Sequence, residues 1–68
     1  MQNTLAQRIK TIRTERGLSQ QQFGELLSVS QDNVSLWENN KSTPSAEHII
    51  KICKIFEISA DYLLGLED

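Results

Sequence analysis

The chain has 68 residues, 38% of them hydrophobic, and a net charge of −2, so it is long enough for one small domain only. It contains no apolar run of about 18 residues that could cross a membrane, and its start lacks the long apolar stretch of a signal peptide. The single cysteine excludes an internal disulfide and, with the single histidine, is too little for a zinc site, so we expect a cytoplasmic protein without metal or other cofactor.

The charges are unevenly distributed along the chain. Residues 1–44 carry five basic and four acidic side chains, whereas residues 45–68 carry two basic and five acidic ones. The acidic excess disfavours contact with nucleic acid, but it lies in the last third and can face away from a phosphate backbone. With so few cations, we expect any DNA binding to be modest in affinity and sensitive to salt.

Apolar spacing and capping residues predict five short helices, of which the first two lie within residues 4–27. The first begins at Thr4 and ends before Gly17, since glycine readily adopts the left-handed conformation that stops a helix. Its apolar residues recur at helical spacing: Leu5, Ile9 and Ile12. The second begins after Ser19, which can form a capping box with Gln22. Three apolar residues are predicted to be its buried side: Phe23, Leu26 and Leu27.

The third helix has one apolar face and one amide-rich face. Ser30 can cap its start, and Val34 and Trp37 are predicted to face inward. The outward side chains are Gln31, Asp32, Ser35 and Leu36. A helix with such a polar outer face is suited to the base edges of a DNA major groove.

The last third predicts two more helices. Ser45 can cap the fourth, whose inner stripe comprises Ile49, Ile52, Cys53 and Phe56. Ser59 can cap a short fifth helix, which Gly65 ends. We find no strand alternation and no internal linker. The sequence therefore predicts an all-α fold, a compact five-helix bundle that forms a single domain over residues 1–68 with its core at about residues 4–65.

The order of these residues resembles the lambda-repressor/Cro-type helix-turn-helix family, also called the Xre type. The resemblance covers about residues 5–65 and rests on three segments: RIKTIRTERGLSQQQFGELL, VSQDNVSLWENNKSTPS and ISADYLLG. It implies a lambda repressor-like DNA-binding domain whose helices two and three form the helix-turn-helix. Helix three would lie in the major groove, and two copies would bind a roughly palindromic operator.

Three residues depart from the family's pattern, because each stands where glycine is common: Ser28, Asn40 and Glu57. We predict that each holds a left-handed backbone conformation, at some cost in local stability for a residue that is not glycine.

The resemblance and the side-chain chemistry together predict four base-reading residues in helix three. Gln31 can pair with adenine, or be an ordinary solvated residue at a helix start. Asp32 can accept from cytosine N4, or only complement the helix N-terminus. Leu36 can contact a thymine methyl group, or be one of the isolated exposed leucines that are common on protein surfaces. Ser35 lies one turn beyond the helix start, on the same face.

The resemblance also assigns residues that contact phosphate: Gln20, Asn39 and Lys41. In the family, the segment after helix three is expected to hold phosphate through backbone amides, the Asn side chain and the Lys. The alternative is that these residues are simply solvated. Arg13 and Glu38 resemble the family's structural ion pair between helices one and three, although an arginine there could also contact phosphate.

The subunit contact is predicted near the end of the chain, because the fifth helix and its tail carry more apolar residues than so short an element needs. We assign this contact to Leu66 and Tyr62. The alternative is that Leu63 and Leu64 close the core while Leu66 frays.

These observations favour a bacterial or phage transcriptional regulator that binds a double-stranded DNA operator sequence-specifically as a homodimer. Repression by occlusion of a promoter is the expected mode, with no catalytic residue, small-molecule ligand or membrane involved. The alternative is an antitoxin-like or partner-binding protein-interaction module on the same fold, with weak DNA binding. The acidic last third favours that alternative, and the amide-rich face of helix three opposes it.

Overall fold

The computed structural model describes residues 4–66. Within that range the chain forms five helices and no strand: α1 (Thr4–Glu15), α2 (Gln20–Leu27), α3 (Gln31–Glu38), α4 (Ala46–Phe56) and α5 (Ala60–Leu64). The predicted all-α, five-helix fold is confirmed. No helix in this range is long and apolar enough to span a bilayer.

A serine with extended backbone caps the start of each of the helices α2 to α5. The four caps are Ser19, Ser30, Ser45 and Ser59. Each hydroxyl oxygen accepts from the amide three residues later, which satisfies one of the N–H groups that a helix start leaves without a partner. At α2 the Gln22 side-chain oxygen also accepts from the Ser19 amide, at 2.9 Å. The predicted capping box is therefore confirmed.

The five described helices also end alike, each followed by a residue with positive φ: Gly17, Ser28, Asn40, Glu57 and Gly65. The next amide along the chain donates to the carbonyl oxygen five residues before it, as in a Schellman motif. The predicted left-handed conformations are confirmed, with φ of 61° at Ser28, 59° at Asn40 and 57° at Glu57. This conformation costs a typical non-glycine residue about 1–2 kcal/mol.

The core lies between the helices and includes side chains from all five. Its buried members are Ile9, Ile12, Phe23, Leu27, Val34, Trp37, Ile52, Phe56 and Leu63. The rings of Phe23 and Phe56 stack with their centroids 5.3 Å apart, which joins α2 to α4. The predicted inner faces of α1, α3 and α4 are confirmed.

The prediction for α2 is wrong at Leu26, which is 47% exposed. The buried residues of α2 are Phe23, Gly24 and Leu27. Viewed down the helix axis, Gly24 and Leu26 lie on opposite sides of Phe23, so burial of Gly24 turns Leu26 towards solvent. A Cβ atom on Gly24 would come within 2.6 Å of the Val29 carbonyl oxygen. The close packing of α2 against the turn therefore requires glycine at this position.

Candidate nucleic-acid interface

The four predicted base-reading side chains lie on the side of α3 that faces away from the core. Gln31, Asp32 and Leu36 are exposed, and Ser35 is half-buried. Residues four apart are neighbours on a helix surface, so these side chains form two adjacent rows. One row runs from Gln31 through Ser35 to Asn39, and the other contains Asp32 and Leu36. A helix with this face outward can enter a major groove.

The opposite side of α3 anchors it in the core. Val34 is fully buried and Trp37 is 4% exposed. The Trp37 ring lies 5.3 Å from the His48 imidazole of α4, centroid to centroid. Trp37 is therefore a packing residue and not a platform for stacking bases.

An ion pair fixes the end of α3 to α1. Arg13 Nε donates to Glu38 Oε2 at 2.7 Å, and Arg13 Nη2 donates to Glu38 Oε1 at 3.0 Å. Arg13 Nη1 donates to the Leu18 carbonyl oxygen at 2.9 Å. The hydrogen bond to Glu38 raises the pKa of the Arg13 guanidinium above its ordinary value, against the opposing effect of burial. Because all three guanidinium nitrogens are engaged within the protein, the geometry favours the ion pair over a phosphate contact.

Gln20 joins the same cluster from the first turn of α2. Its Nε2 atom donates to Glu38 Oε1 at 3.2 Å. Since a carboxylate oxygen here only accepts, the amino group of Gln20 must be the part that faces Glu38. That amino group has a second hydrogen, which can serve a phosphate at the start of α2. The bond therefore links the first turn of α2 to the ion pair that supports α3.

The backbone amides of residues 39–42, just after α3, donate within the protein. Lys41 is exposed, but its amide donates to the Leu36 carbonyl oxygen at 2.8 Å. The amides of Asn39, Asn40 and Ser42 also donate to carbonyl oxygens of α3. These four amides complete the end of the helix, so in this conformation they are not free to hold a phosphate.

Asn39 is a predicted phosphate contact, but its side-chain amino group donates to Ser35 in this structure. Asn39 Nδ2 lies 2.9 Å from the Ser35 carbonyl oxygen and 3.3 Å from Ser35 Oγ. A phosphate contact through this amino group would require the side chain to rotate.

The two residues assigned to a subunit contact differ in exposure. Leu66 is 72% exposed, whereas Tyr62 is half-buried and packs against the core. The Arg8 guanidinium lies 4.3 Å from the Tyr62 ring centroid and donates to the Tyr62 carbonyl oxygen at 2.7 Å. The alternative was that Leu63 and Leu64 both close the core. It is correct for Leu63, which is fully buried, and wrong for Leu64, which is 39% exposed.

Two other contacts between distant parts of the chain have no signal in the sequence. Lys51 Nζ of α4 donates to the Leu27 carbonyl oxygen at the end of α2, at 3.3 Å. Arg16 Nη2 donates to the Phe56 carbonyl oxygen at 3.0 Å. Both join a side chain to a distant backbone oxygen, and spacing along the chain cannot predict such a pair.

Burial raises the pKa of the Cys53 thiol, which is typical of a packing residue and not of a nucleophile.

A tight turn between two helices, the second with an exposed polar face, defines a helix-turn-helix domain of the kind that docks in DNA. The family model described as "Helix-turn-helix" matches residues 9–63. The chain belongs to this family, and the resemblance to its lambda-repressor/Cro type is confirmed.

Named relatives share this domain. The HTH-type transcriptional activator BcrR of Enterococcus faecalis is 36% identical over 91% of this chain and 30% of its own length. Antitoxin PezA of Streptococcus pneumoniae is 31% identical over 90% of this chain and 39% of its own length. The crystal structure of the P22 c2 repressor with synthetic operator 9T is similar at a TM-score of 0.87 and 27% identity, over 97% of this chain and 100% of that chain. The chain thus spans well under half of BcrR and of PezA.

Proposed function

We propose that this chain is a transcriptional regulator that binds double-stranded DNA sequence-specifically, with α3 in the major groove. The observation that carries the proposal is the outward face of α3, whose polar side chains stand on a helix fixed by buried Val34 and Trp37. The likeness to the P22 c2 repressor, which was solved with an operator, supports it. An antitoxin-like role is the weaker alternative, because it gives this exposed face no purpose.

The side chains of this face suit different base edges. The Gln31 amide can donate to adenine N7 and accept from adenine N6, and Asp32 can accept from cytosine N4. Leu36 can pack against a thymine methyl group. Ser35 has a hydroxyl that can donate or accept.

Phosphate contacts would flank this face. Gln20 can use the second hydrogen of its amino group, and Lys41 offers an exposed charge just beyond α3. Asn39 can join them only by releasing Ser35. With one cation among these three residues, binding to non-specific DNA should be weak.

We further propose a homodimer that acts as a repressor in the cytoplasm, without catalysis or cofactor. One domain of this size makes few base contacts, so two copies on a palindromic operator would supply the specificity. Repression by occluding a promoter requires binding alone, whereas activation requires a further protein contact. Leu66 is a candidate for the subunit contact because it is the most exposed of the large hydrophobic residues described.

Selection of bound DNA from a random pool tests the proposal. We expect enrichment of an inverted repeat whose half-sites are about 10 base pairs apart, or one helical turn. A pool that stays random would contradict sequence-specific binding. In that case a stable complex with a protein partner, isolated under the same conditions, would support the antitoxin-like alternative.

A further inference from the structure

We propose that a cavity on the exposed side of α4 binds a small organic anion, and that this binding favours the arrangement of α2 and α3 described above. The cavity has a volume of about 280 Å³ and is lined by five residues of α4: Glu47, His48, Ile50, Lys51 and Lys54. The sequence alone predicts no small-molecule ligand, and the cavity is a feature of the folded chain. Its effect on DNA binding rests on the proposed function, whereas the site itself does not depend on it.

Two lysines give the cavity its charge. Lys51 and Lys54 are both exposed and lie three residues apart, so their side chains are neighbours on the helix surface. Glu47 is the acidic member of the lining. Two lysines against one glutamate give a formal charge of +1 with His48 counted as neutral, in a chain whose net charge is −2. An anion between the two ammonium groups would also relieve the repulsion between these like charges.

An isoleucine gives the cavity an apolar wall. Ile50 is 53% exposed, and the aliphatic stems of the two lysines add further apolar surface. Sites for small molecules are typically apolar with a few polar groups that fix orientation, and have volumes of about 300–1,000 Å³. At about 280 Å³ this cavity lies at the small end of that range. The chemistry therefore fits a small molecule with one anionic group and a short apolar part.

One lysine of the cavity also bonds to the helix-turn-helix. Lys51 Nζ donates to the carbonyl oxygen of Leu27, the last residue of α2, at 3.3 Å. The last carbonyl groups of a helix have no partner within it, and a cation there is favourable. An ammonium group has three hydrogens, so two remain for a ligand. An anion and the end of α2 can thus bind Lys51 at the same time.

The histidine of the cavity contacts α3. The half-buried His48 ring lies 5.3 Å from the Trp37 ring, centroid to centroid. A ligand that contacts Lys51 and His48 in these positions binds this arrangement of helices better than any other, and so raises its population. By reciprocity, the DNA-bound protein would bind the ligand more tightly by the same factor.

Hexanoate is a suitable probe because it combines a carboxylate with a short apolar chain. Its binding can be followed by the backbone amide signals in ¹H–¹⁵N NMR spectra at constant ionic strength. We expect saturable shifts around the cavity and at the end of α2, with a dissociation constant of about 1–10 mM for so small a ligand. Hexanol lacks the charge and inorganic phosphate lacks the apolar part, so each should bind at least about fivefold more weakly.

Three variants test whether the lining residues bind the probe. Lys54→Met removes one cation but keeps a long side chain, and Ile50→Ser removes the apolar wall. Each should weaken hexanoate binding about fivefold or more. Lys10→Met is the matched control, because it removes an exposed lysine of α1 outside the cavity and should leave binding unchanged. Thermal unfolding shows whether each variant is folded at the titration temperature.

The link to DNA is tested on the operator obtained by selection. Operator titrations with and without saturating hexanoate, at the same ionic strength, should show an affinity about two- to fivefold higher with hexanoate, which is a modest coupling between two sites. In Lys54→Met the same concentration of hexanoate should have a smaller effect.

Distinct results would overturn each part of the proposal. Shifts that stay linear with hexanoate concentration, or that are as large in Lys54→Met as in the unmodified chain, would mean that the cavity is not an anion site. Saturable binding with operator affinity unchanged or lowered would overturn the link to the helix-turn-helix. If the unmodified chain selects no operator, the proposed function fails, while the NMR titration still decides whether the site exists.

Discussion

Glu38 and Arg13 form a two-point ion pair at the junction of α3 and α1, with contacts of 2.7 Å and 3.0 Å. The Glu38 side chain is only 4% exposed and that of Arg13 13%. Glu38 also accepts from Gln20, so three helices meet at one carboxylate. Helix α3 is thus held at its C-terminal end by this ion pair and at its middle by the buried side chain of Val34.

We predict that Arg13→Met lowers the free energy of unfolding by about 3 kcal/mol, because it leaves the buried Glu38 carboxylate without its charged partner. Denaturation by urea measures the loss. The double variant Arg13→Met, Glu38→Leu should regain most of the stability, since no buried charge then remains. A double variant as unstable as the single one would mean that Arg13 acts mainly through its bond to the Leu18 carbonyl.

Glu57→Gly should stabilise the protein by about 1 kcal/mol. It relieves the left-handed strain at φ 57° and removes a negative charge from the C-terminal end of the α4 dipole, although glycine costs more backbone entropy on folding. For a domain of this size, the midpoint of thermal unfolding should rise by about 4–8 °C. Glu57→Gln is the control, because it removes only the charge and should gain less. Equal gains in the two variants would show that the backbone strain contributes nothing.

The helices, their caps and their stop residues could be predicted from the sequence because each depends on neighbours close along the chain. The left-handed conformations of Ser28, Asn40 and Glu57 are expected from the family resemblance, because each residue stands where glycine is common in the family. Leu26 could not be assigned correctly, because the buried side of α2 depends on how closely Gly24 approaches the turn after it. That approach is a tertiary contact, and apolar spacing alone carries no information about it.

Part of the candidate interface could also be predicted from the sequence, and part could not. The outward face of α3 follows from helical periodicity, so Gln31, Asp32 and Leu36 could be placed from the sequence. The bonds that Asn39 makes to Ser35, and Gln20 to Glu38, could not be predicted. An amide side chain can donate to many different acceptors, and its partner depends on how the helices pack.

Lys41→Ala should weaken binding to operator and to unrelated DNA alike and lower the slope of log K against log salt by about one unit per protomer. The reason is the loss of one exposed cation beside α3. Binding titrations at several salt concentrations measure the slope. Lys54→Ala, which removes an exposed cation from α4, is the control and should leave the slope unchanged. An unchanged slope for Lys41→Ala would mean that Lys41 contacts no phosphate.

Leu66→Glu should weaken the dimer and reduce operator binding, while thermal unfolding of the monomer stays nearly the same. Leu66 is 72% exposed, so a charge costs little in the monomer but is unfavourable in an apolar subunit contact. Sedimentation measures the association. Ile50→Glu is the control, because Ile50 is 53% exposed on α4 and is not assigned to the contact. If Leu66→Glu leaves dimerisation and DNA affinity unchanged, the subunits must meet elsewhere.

Gln31→Ala tests whether the outward face of α3 reads base edges. Gln31 is exposed at the first position of α3, so its truncation should leave the fold intact. Binding titrations of the variant and the unmodified chain, on the selected operator and on a scrambled sequence, are the measurement. We predict a loss of about 1–3 kcal/mol on the operator and almost none on scrambled DNA. An equal loss on both sequences would contradict base reading by α3.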